Sequence, residues 1–175
     1  MIAPPALAAG VTLGDAMFPG GSIVFTLATA AAWVFACFAW AAMLCAPEFR
    51  KRVAVLLAPA VAASTFGLVA ADIPFRAAFL MSKPALTRFV ESLPVTEGPD
   101  GQEQEESGPR FRLVGLYPVG GWSRDAGSAY LGIVGGGGLL EWCGLRYLTG
   151  DRIDDYVYSS ARRLDDDWYV VCEDF

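Results

Sequence analysis

The chain has 175 residues, a formal net charge of −6 and 54% hydrophobic residues, with a mean hydropathy of +0.40. Residues 1–93 carry six basic and four acidic residues, net +2, whereas residues 94–175 carry seven and fifteen, net −8. Such an acidic half repels nucleic acid, whose phosphates bind clustered cations. The absence of histidine excludes the usual zinc and haem ligand sets and the Ser-His and Cys-His catalytic pairs.

Residues 1–21 form a short N-terminal segment without Lys or Arg. A secretory signal peptide begins with a cationic region, so this segment is not predicted to be cleaved as one.

Residues 22–71 predict a transmembrane helical hairpin. Ser22 to Ala46 contains no charged residue over 25 positions, and Val53 to Ala71 supplies 19 more apolar-rich positions. About 20 apolar residues in a helix cross the ~30 Å hydrocarbon core of a bilayer. The fold class is therefore predicted as a membrane α-helical hairpin of two transmembrane helices. A juxtamembrane amphipathic helix and a small C-terminal antiparallel β domain complete it.

The loop between the two spans carries Arg50, Lys51 and Arg52. Cytoplasmic flanks are enriched in Lys and Arg, so this loop is predicted in the cytoplasm and the C-terminal domain outside it. Three further cations, at positions 76, 83 and 88, oppose that orientation. Arg outnumbers Lys and Ala is abundant, which favours a prokaryotic cytoplasmic membrane as the location, with the chain crossing it twice.

Small residues recur every fourth position in both spans and predict close helix packing, because small side chains let helix backbones approach in lipid. The stripes either join the two helices of the hairpin or bind another membrane subunit. They are Ala28, Ala32 and Ala36 in the first span and Ala63, Gly67 and Ala71 in the second.

Residues 72–93 predict a juxtamembrane amphipathic helix. Asp72 is placed as its N-cap and pairs with Arg76 four residues later. The run from Ser82 to Pro84 is expected to interrupt the helix. An apolar stripe follows at spacings of three and four, and it lies either in the headgroup plane or against the C-terminal domain.

Residues 94–109 are rich in Pro, Gly and acids and predict a flexible linker. Residues 110–175 contain five β-type runs separated by short polar or glycine-rich segments, which predicts an antiparallel meander. The last two runs form the clearest hairpin, with residues 165–167 as its turn.

Cys143 and Cys172 lie in the third and last of these runs. In an oxidising compartment they form a disulfide; in a reducing one they are small buried core residues. Spacing alone leaves both alternatives open.

No catalytic, cofactor or metal site is predicted. Residues 135–138 are four glycines without a phosphate-loop fingerprint, and the aspartates near the C-terminus lack EF-hand spacing. A pair of carboxylates, Glu141 with Glu173, is kept as a weak hydrolase alternative.

The leading functional hypothesis is a non-catalytic membrane protein, an accessory or assembly subunit of a larger membrane complex. Its predicted partners are membrane lipid and other membrane subunits or copies of itself, and not nucleic acid. The alternative is a cell-envelope sensor whose sheet binds a glycan or peptide through Trp122, Trp142 and Trp168, since exposed tryptophans are common at interfaces. The aromatics of the C-terminal half could equally lie on the packed face of a shallow core.

Overall fold

The computed structural model describes residues 3–45, 54–95, 111–125, 127–137, 141–149 and 160–174. Their helices are α1 Ala3–Asp15, α2 Ile23–Cys45, α3 Ala54–Ala70 and α4 Ile73–Ser92. Their strands are β1 Arg112–Val114, β2 Tyr117–Arg124, β3 Ser128–Ile133, β4 Glu141–Leu148, β5 Ser160–Arg163 and β6 Trp168–Asp174. The predicted linker and the basic loop at 50–52 lie outside these ranges, apart from residues 94 and 95.

The N-terminal segment contains a helix, α1, that packs against both α2 and α3. Its two prolines, Pro4 and Pro5, stand in the first turn, where a missing backbone N–H removes no helical hydrogen bond. Trp33 of α2 links the three helices: its Nε1 donates to Thr12 Oγ1 of α1 at 2.9 Å. Its ring centroid also lies 5.2 Å from that of Phe66 in α3. The α1 helix therefore takes much of the contact that was predicted between the two spans.

One described helix, α2, is long and apolar enough to cross a membrane, and only 6% of its most apolar window is buried. The shorter α3 reaches a spanning length only together with α4, and these two helices meet at a bend of 57°. The first predicted span thus has a matching helix, whereas the two-span hairpin is not confirmed.

Helix α4 is continuous from Ile73 to Ser92, so the predicted interruption at Ser82 to Pro84 is wrong. Interior proline costs a helix about 3 kcal/mol, and packing against the sheet compensates for that cost. Ser82 is fully buried, and its Oγ accepts a hydrogen bond from Leu116 N at 3.0 Å. At the N-terminus of α4, Asp72 makes no side-chain cap, because it adopts a left-handed conformation with φ 59°.

The C-terminal half is a six-stranded antiparallel sheet in the order β1-β2-β3-β4-β6-β5. The first predicted run divides into β1 and β2 at a tight turn containing Gly115, whose φ is +63°. A Cβ at Gly115 would lie 2.6 Å from the Cβ of Ser82, so the turn needs glycine there. The sheet is not a simple meander, since β6 lies between β4 and β5. The predicted hairpin turn at residues 165–167 joins β5 to β6.

Helix α4 covers one face of the sheet and forms the main core with it. This helix uses the predicted apolar stripe, which therefore faces the sheet. Arg124 of β2 fixes the end of α4, because its Nη1 donates to the carbonyl oxygens of Val90, Glu91 and Leu93 at 2.8–2.9 Å. A guanidinium at this position also complements the negative end of the helix dipole.

Candidate functional site

The sulfur atoms of Cys143 and Cys172 lie at disulfide distance, 2.07 Å apart. The two residues face each other directly across β4 and β6, with their Cα atoms 4.2 Å apart. The backbone N–H of Cys143 is directed away from β6 and donates to Gly136 O, on the other side of β4, at 3.3 Å. Cys143 and Cys172 are thus a non-hydrogen-bonded pair, the closer of the two antiparallel pair types. The remaining cysteines, Cys37 and Cys45, are free and exposed on α2.

The three tryptophans of the sensor hypothesis do not share a surface. Trp168 is completely buried beneath α4, and Trp122 packs edge-on against Phe89 of α4 with ring centroids 5.4 Å apart. Trp142 points to the opposite face of the sheet and is 50% exposed. Two of the three tryptophans, Trp122 and Trp168, therefore pack with the core that α4 forms with the sheet.

The small-residue stripes are largely unburied in the helical layer. Ala36 is buried and Ala32 half-buried, whereas Ala28, Ala63, Gly67 and Ala71 are exposed. A Cβ at Gly67 would meet no atom within 4 Å. These positions leave room for another helix beside α3.

The carboxylates of the hydrolase alternative lie on neighbouring strands. Trp142 pairs with Glu173, so Glu141 and Glu173 are one register step apart and project to opposite faces of the sheet. Among the described residues, Glu141 with Cys143 and Cys172 forms the one group of ligand atoms close enough to hold a metal ion. The two sulfurs are already bonded to each other, so they offer no thiolate.

Among the described residues, a cleft of about 330 Å³ lies where the α1–α2 loop, the start of α4 and the edge of the sheet meet. We call it the junction cleft. It lies between the α1–α2 loop, the α3–α4 bend and the edge strand β5. The residues that define it here are Phe18, Gly20, Asp72, Phe75, Arg162 and Cys172.

An ion pair crosses the mouth of the junction cleft. Arg162 Nη1 of β5 lies 2.7 Å from Asp72 Oδ2 at the bend, and Arg76 Nε lies 3.6 Å from the same oxygen. The Arg162 guanidinium also stands 5.3 Å over the Phe75 ring. The predicted pair of Asp72 with Arg76 is therefore present, but the shorter contact joins Asp72 to a strand ninety residues away in the chain. This contact anchors the bend to the edge of the sheet.

Tyr117 lies behind the junction cleft and is almost completely buried, and its hydroxyl has no hydrogen-bond partner among the described residues. Its ring packs edge-on against Phe18, with centroids 6.4 Å apart. Burial raises the pKa of the Tyr117 hydroxyl well above its usual range, and the negative charge of Asp72 raises it further.

The α1–α2 loop closes the cleft over the disulfide. Gly137 N donates to Pro19 O at 2.8 Å, and Ser22 and Gly137 pair as two residues of parallel β-strands do. Gly20 has φ +73°, and a Cβ there would lie 2.6 Å from Cys143 Sγ. Glycine is therefore required where the loop crosses the disulfide.

Asp15 fixes the start of α2 beside this loop. Its Oδ1 accepts from Ser22 N at 3.0 Å and its Oδ2 accepts from Thr26 Oγ1 at 3.3 Å. A carboxylate at the N-terminal end of a helix is stabilised by the helix dipole.

A second ion pair joins α4 to the sheet away from the cleft: Lys83 of α4 pairs with Asp165 in the β5–β6 turn. The hydrogen bond to Asp165 raises the pKa of Lys83, and the same bond lowers the pKa of Asp165.

The junction cleft gathers apolar side chains, a closed ion pair and a disulfide. Ser160 and Asp72 both line the cleft, but no hydrogen bond joins a nucleophile to a base among its described residues. Its contacts instead hold the helical layer to the sheet. Asp15, Phe18, Gly20 and Arg162 were not singled out from the sequence. The Gly20-Gly21 pair signals a turn, but nothing local signals the partner of that turn.

No protein-family model, curated protein or solved structure matches this chain. The described residues form a helical layer that contains one apolar helix of spanning length, joined to a disulfide-containing antiparallel sheet that a further helix covers.

Proposed function

We propose that this protein is a membrane-anchored, non-catalytic accessory or assembly subunit that holds its sheet domain outside the cytoplasm. The observation that carries the proposal is the exposure of α2. This helix has 23 residues, none of them charged, and Ala36 is its one fully buried residue. At 1.5 Å per residue it is roughly 34 Å long, enough for the hydrocarbon core of a bilayer.

Exposure of large side chains along α2 supports lipid as its surroundings. Leu27, Phe35 and Phe38 are each more than 60% exposed, and α2 contains no charged residue to hydrate it. In water such a helix presents a large apolar patch, which soluble monomers rarely do. In lipid the same surface needs no partner.

The connection of the helices to the sheet supports a hairpin orientation. Ser22, just before α2, pairs with Gly137 in the segment between β3 and β4, and α3 leads through Asp72 directly into α4, which packs on the sheet. The far ends of α2 and α3 are joined by the segment that carries Arg50, Lys51 and Arg52. Cations also stand on the sheet side, at positions 76, 83 and 88, but those of the connecting segment abut both spans, so the positive-inside rule favours that segment in the cytoplasm and the sheet on the opposite side. A disulfide in the sheet agrees with an oxidising compartment there.

The exposed small residues of α3 favour a subunit role. Ala63 and Gly67 lie four residues apart on the surface of a helix that is already apolar. Small-xxx-small spacing allows a second membrane helix to approach closely. The occupant we propose is a helix of another membrane subunit.

Native purification in mild detergent, followed by mass spectrometry, tests this role. We expect a stoichiometric membrane partner that is lost in a Gly67→Leu variant and kept in a Leu68→Ala variant, which changes an exposed residue about 100° around the helix from Gly67. Recovery of a lone monomer from the native membrane would refute the subunit role. Protease added to right-side-out vesicles tests the orientation, and it should cut within residues 101–107 and give two fragments that separate on a denaturing gel.

A ligand-binding sensor is the second candidate, and the exposed Trp142 is the observation that favours it. On the face of the sheet away from α4, the register places Tyr130, Arg146 and Tyr169 side by side across β3, β4 and β6. Aromatic and guanidinium groups of this kind bind glycans and peptides. Saturable quenching of tryptophan fluorescence by envelope fragments in the full chain, absent in Trp142→Phe, would support this candidate. Unchanged fluorescence would exclude it.

A further inference from the structure

Helix α4 has a second apolar face, directed away from the sheet. Its first three turns carry exposed residues at spacings of three, four and seven, which place them on one side of a helix. Leu80 is 62% exposed and Met81 74%, the largest values on this helix among its large apolar residues. We call this set the outer stripe: Ile73, Ala77, Leu80, Met81 and Pro84.

The polarity of this side of α4 changes along the helix. Beyond Pro84 the same side carries Arg88 and Glu91, both exposed. Glu91 is five turns from Ile73 and lies on the same line of the helix surface. The apolar part is therefore confined to the end of α4 that adjoins α3. A protein-binding face need not change from apolar to charged along the helix, but the face of a helix that passes from the lipid surface into water does.

The geometry of the α3–α4 bend agrees with that gradient. The axis of α4 turns by 57° from that of α3 after a break of two residues. Membrane helices tilt by about 20° on average, so a bend of this size can bring α4 to within roughly 15° of the membrane plane. The Asp72 ion pair with Arg162 holds the bend to the sheet.

Cations flank the outer stripe. Arg76 lies between Ile73 and Leu80, its side chain is 72% exposed, and Arg88 lies four residues beyond Pro84. Arginine at the edge of an apolar stripe extends its guanidinium to phosphate headgroups while its stem stays on the apolar side. The charge of the edge thus complements an anionic lipid surface.

We propose that the outer stripe of α4 rests on the lipid surface, so that α4 is a wedge with one face on the sheet and the other in the headgroup region. This inference rests on the proposed membrane anchor. It adds that the sheet domain is docked on the bilayer through α4 rather than carried free above it.

Fluorophores on single cysteines test the proposal in the full chain. The parent variant is Cys37→Ala with Cys45→Ala, which removes both free thiols and leaves the disulfide intact. Leu80→Cys is the test position, Glu91→Cys the matched control on the same side of α4, and Val34→Cys the control for the anchor. All three side chains are exposed, so labelling disturbs no core.

Each labelled chain is placed in nanodiscs of phosphatidylcholine and phosphatidylglycerol that contain lipids spin-labelled near the headgroup or in mid-chain. We expect the headgroup-region label to quench position 80 at least about twofold more than position 91, as for an interfacial helix. Position 34 should be quenched most by the mid-chain label.

Equal, weak quenching at positions 80 and 91, with position 34 strongly quenched, would overturn the wedge and leave the anchor intact. Absence of quenching at position 34 would refute the anchor itself. An unquenched but blue-shifted probe at position 80 would identify a protein, including a second copy of this chain, as the occupant and would equally overturn the proposal.

Discussion

Removal of the Cys143–Cys172 bond should destabilise the sheet domain strongly and leave the helical layer folded. The cysteines are 29 residues apart, so closing this loop in the unfolded chain removes about 12 cal/mol/K of entropy, or roughly 3.5 kcal/mol at about 25 °C. Whole domains keep only about 5–15 kcal/mol. For a domain of roughly a hundred residues, the expected drop in melting temperature is about 15–25 °C.

Cys143→Ala with Cys172→Ala is the variant of choice, because a serine would place a hydroxyl in the core. Near-UV circular dichroism follows the packing of Trp168 and Trp122, and far-UV helical signal follows the helical layer. The matched control is Cys37→Ala with Cys45→Ala, which should melt as the native chain does. If the disulfide variant also melts like the native chain, or if both core thiols alkylate in protein purified without reductant, the reasoning is refuted.

Three further predictions concern the junction cleft and the end of α4. Gly20→Ala should lower the free energy of unfolding by about 1–2 kcal/mol, because of positive φ and contact with Cys143 Sγ, whereas Gly14→Ala, which meets no neighbour, should not. Equal melting temperatures of these two variants would contradict the loop geometry. Tyr117→Phe should keep or raise stability at pH 7, since the hydroxyl has no partner. The pKa of Tyr117 is higher in the folded chain than in the unfolded chain, so the free energy of unfolding is unaffected by its titration below about pH 10 and falls at higher pH. Urea titrations should show a smaller loss of stability at alkaline pH in the variant than in the native chain, and an equal loss would refute this. Arg124→Gln should cost about 1.5–3 kcal/mol through its three carbonyl contacts, and hydrogen exchange at the end of α4 should rise, with unchanged exchange counting against the cap.

Features with a local period or a local turn signal were predictable from the sequence. The strand runs around Cys143 and Cys172, the turn at residues 165–167 and the apolar stripe of α4 follow from alternation, turn residues and helical spacing. The position of β6 between β4 and β5 has no such signal. It depends on pairing between distant strands, which is decided by the packing of the whole sheet.

Local rules failed where tertiary packing outweighed them. Pro84 reads as a helix breaker, yet buried Ser82 and Leu86 on either side hold α4 together against the sheet. Asp72 reads as an N-cap, but its carboxylate turns to Arg162 and its backbone takes a left-handed bend. In both cases the deciding contact comes from residues more than thirty positions away. Single-sequence patterns carry no information about such contacts.

The same distant contacts explain why the candidate site could not be read from the sequence. The junction cleft is assembled from the α1–α2 loop, the α3–α4 bend and an edge strand, three segments spread over almost the whole chain. The Asp72 to Arg162 ion pair across the cleft is partly exposed and contributes roughly 1 kcal/mol or less. No one of the three segments specifies the cleft by itself. The loop hydrogen bond, the ion pair and the disulfide each join residues far apart in the chain, so the cleft forms only when the helices and the sheet have packed together.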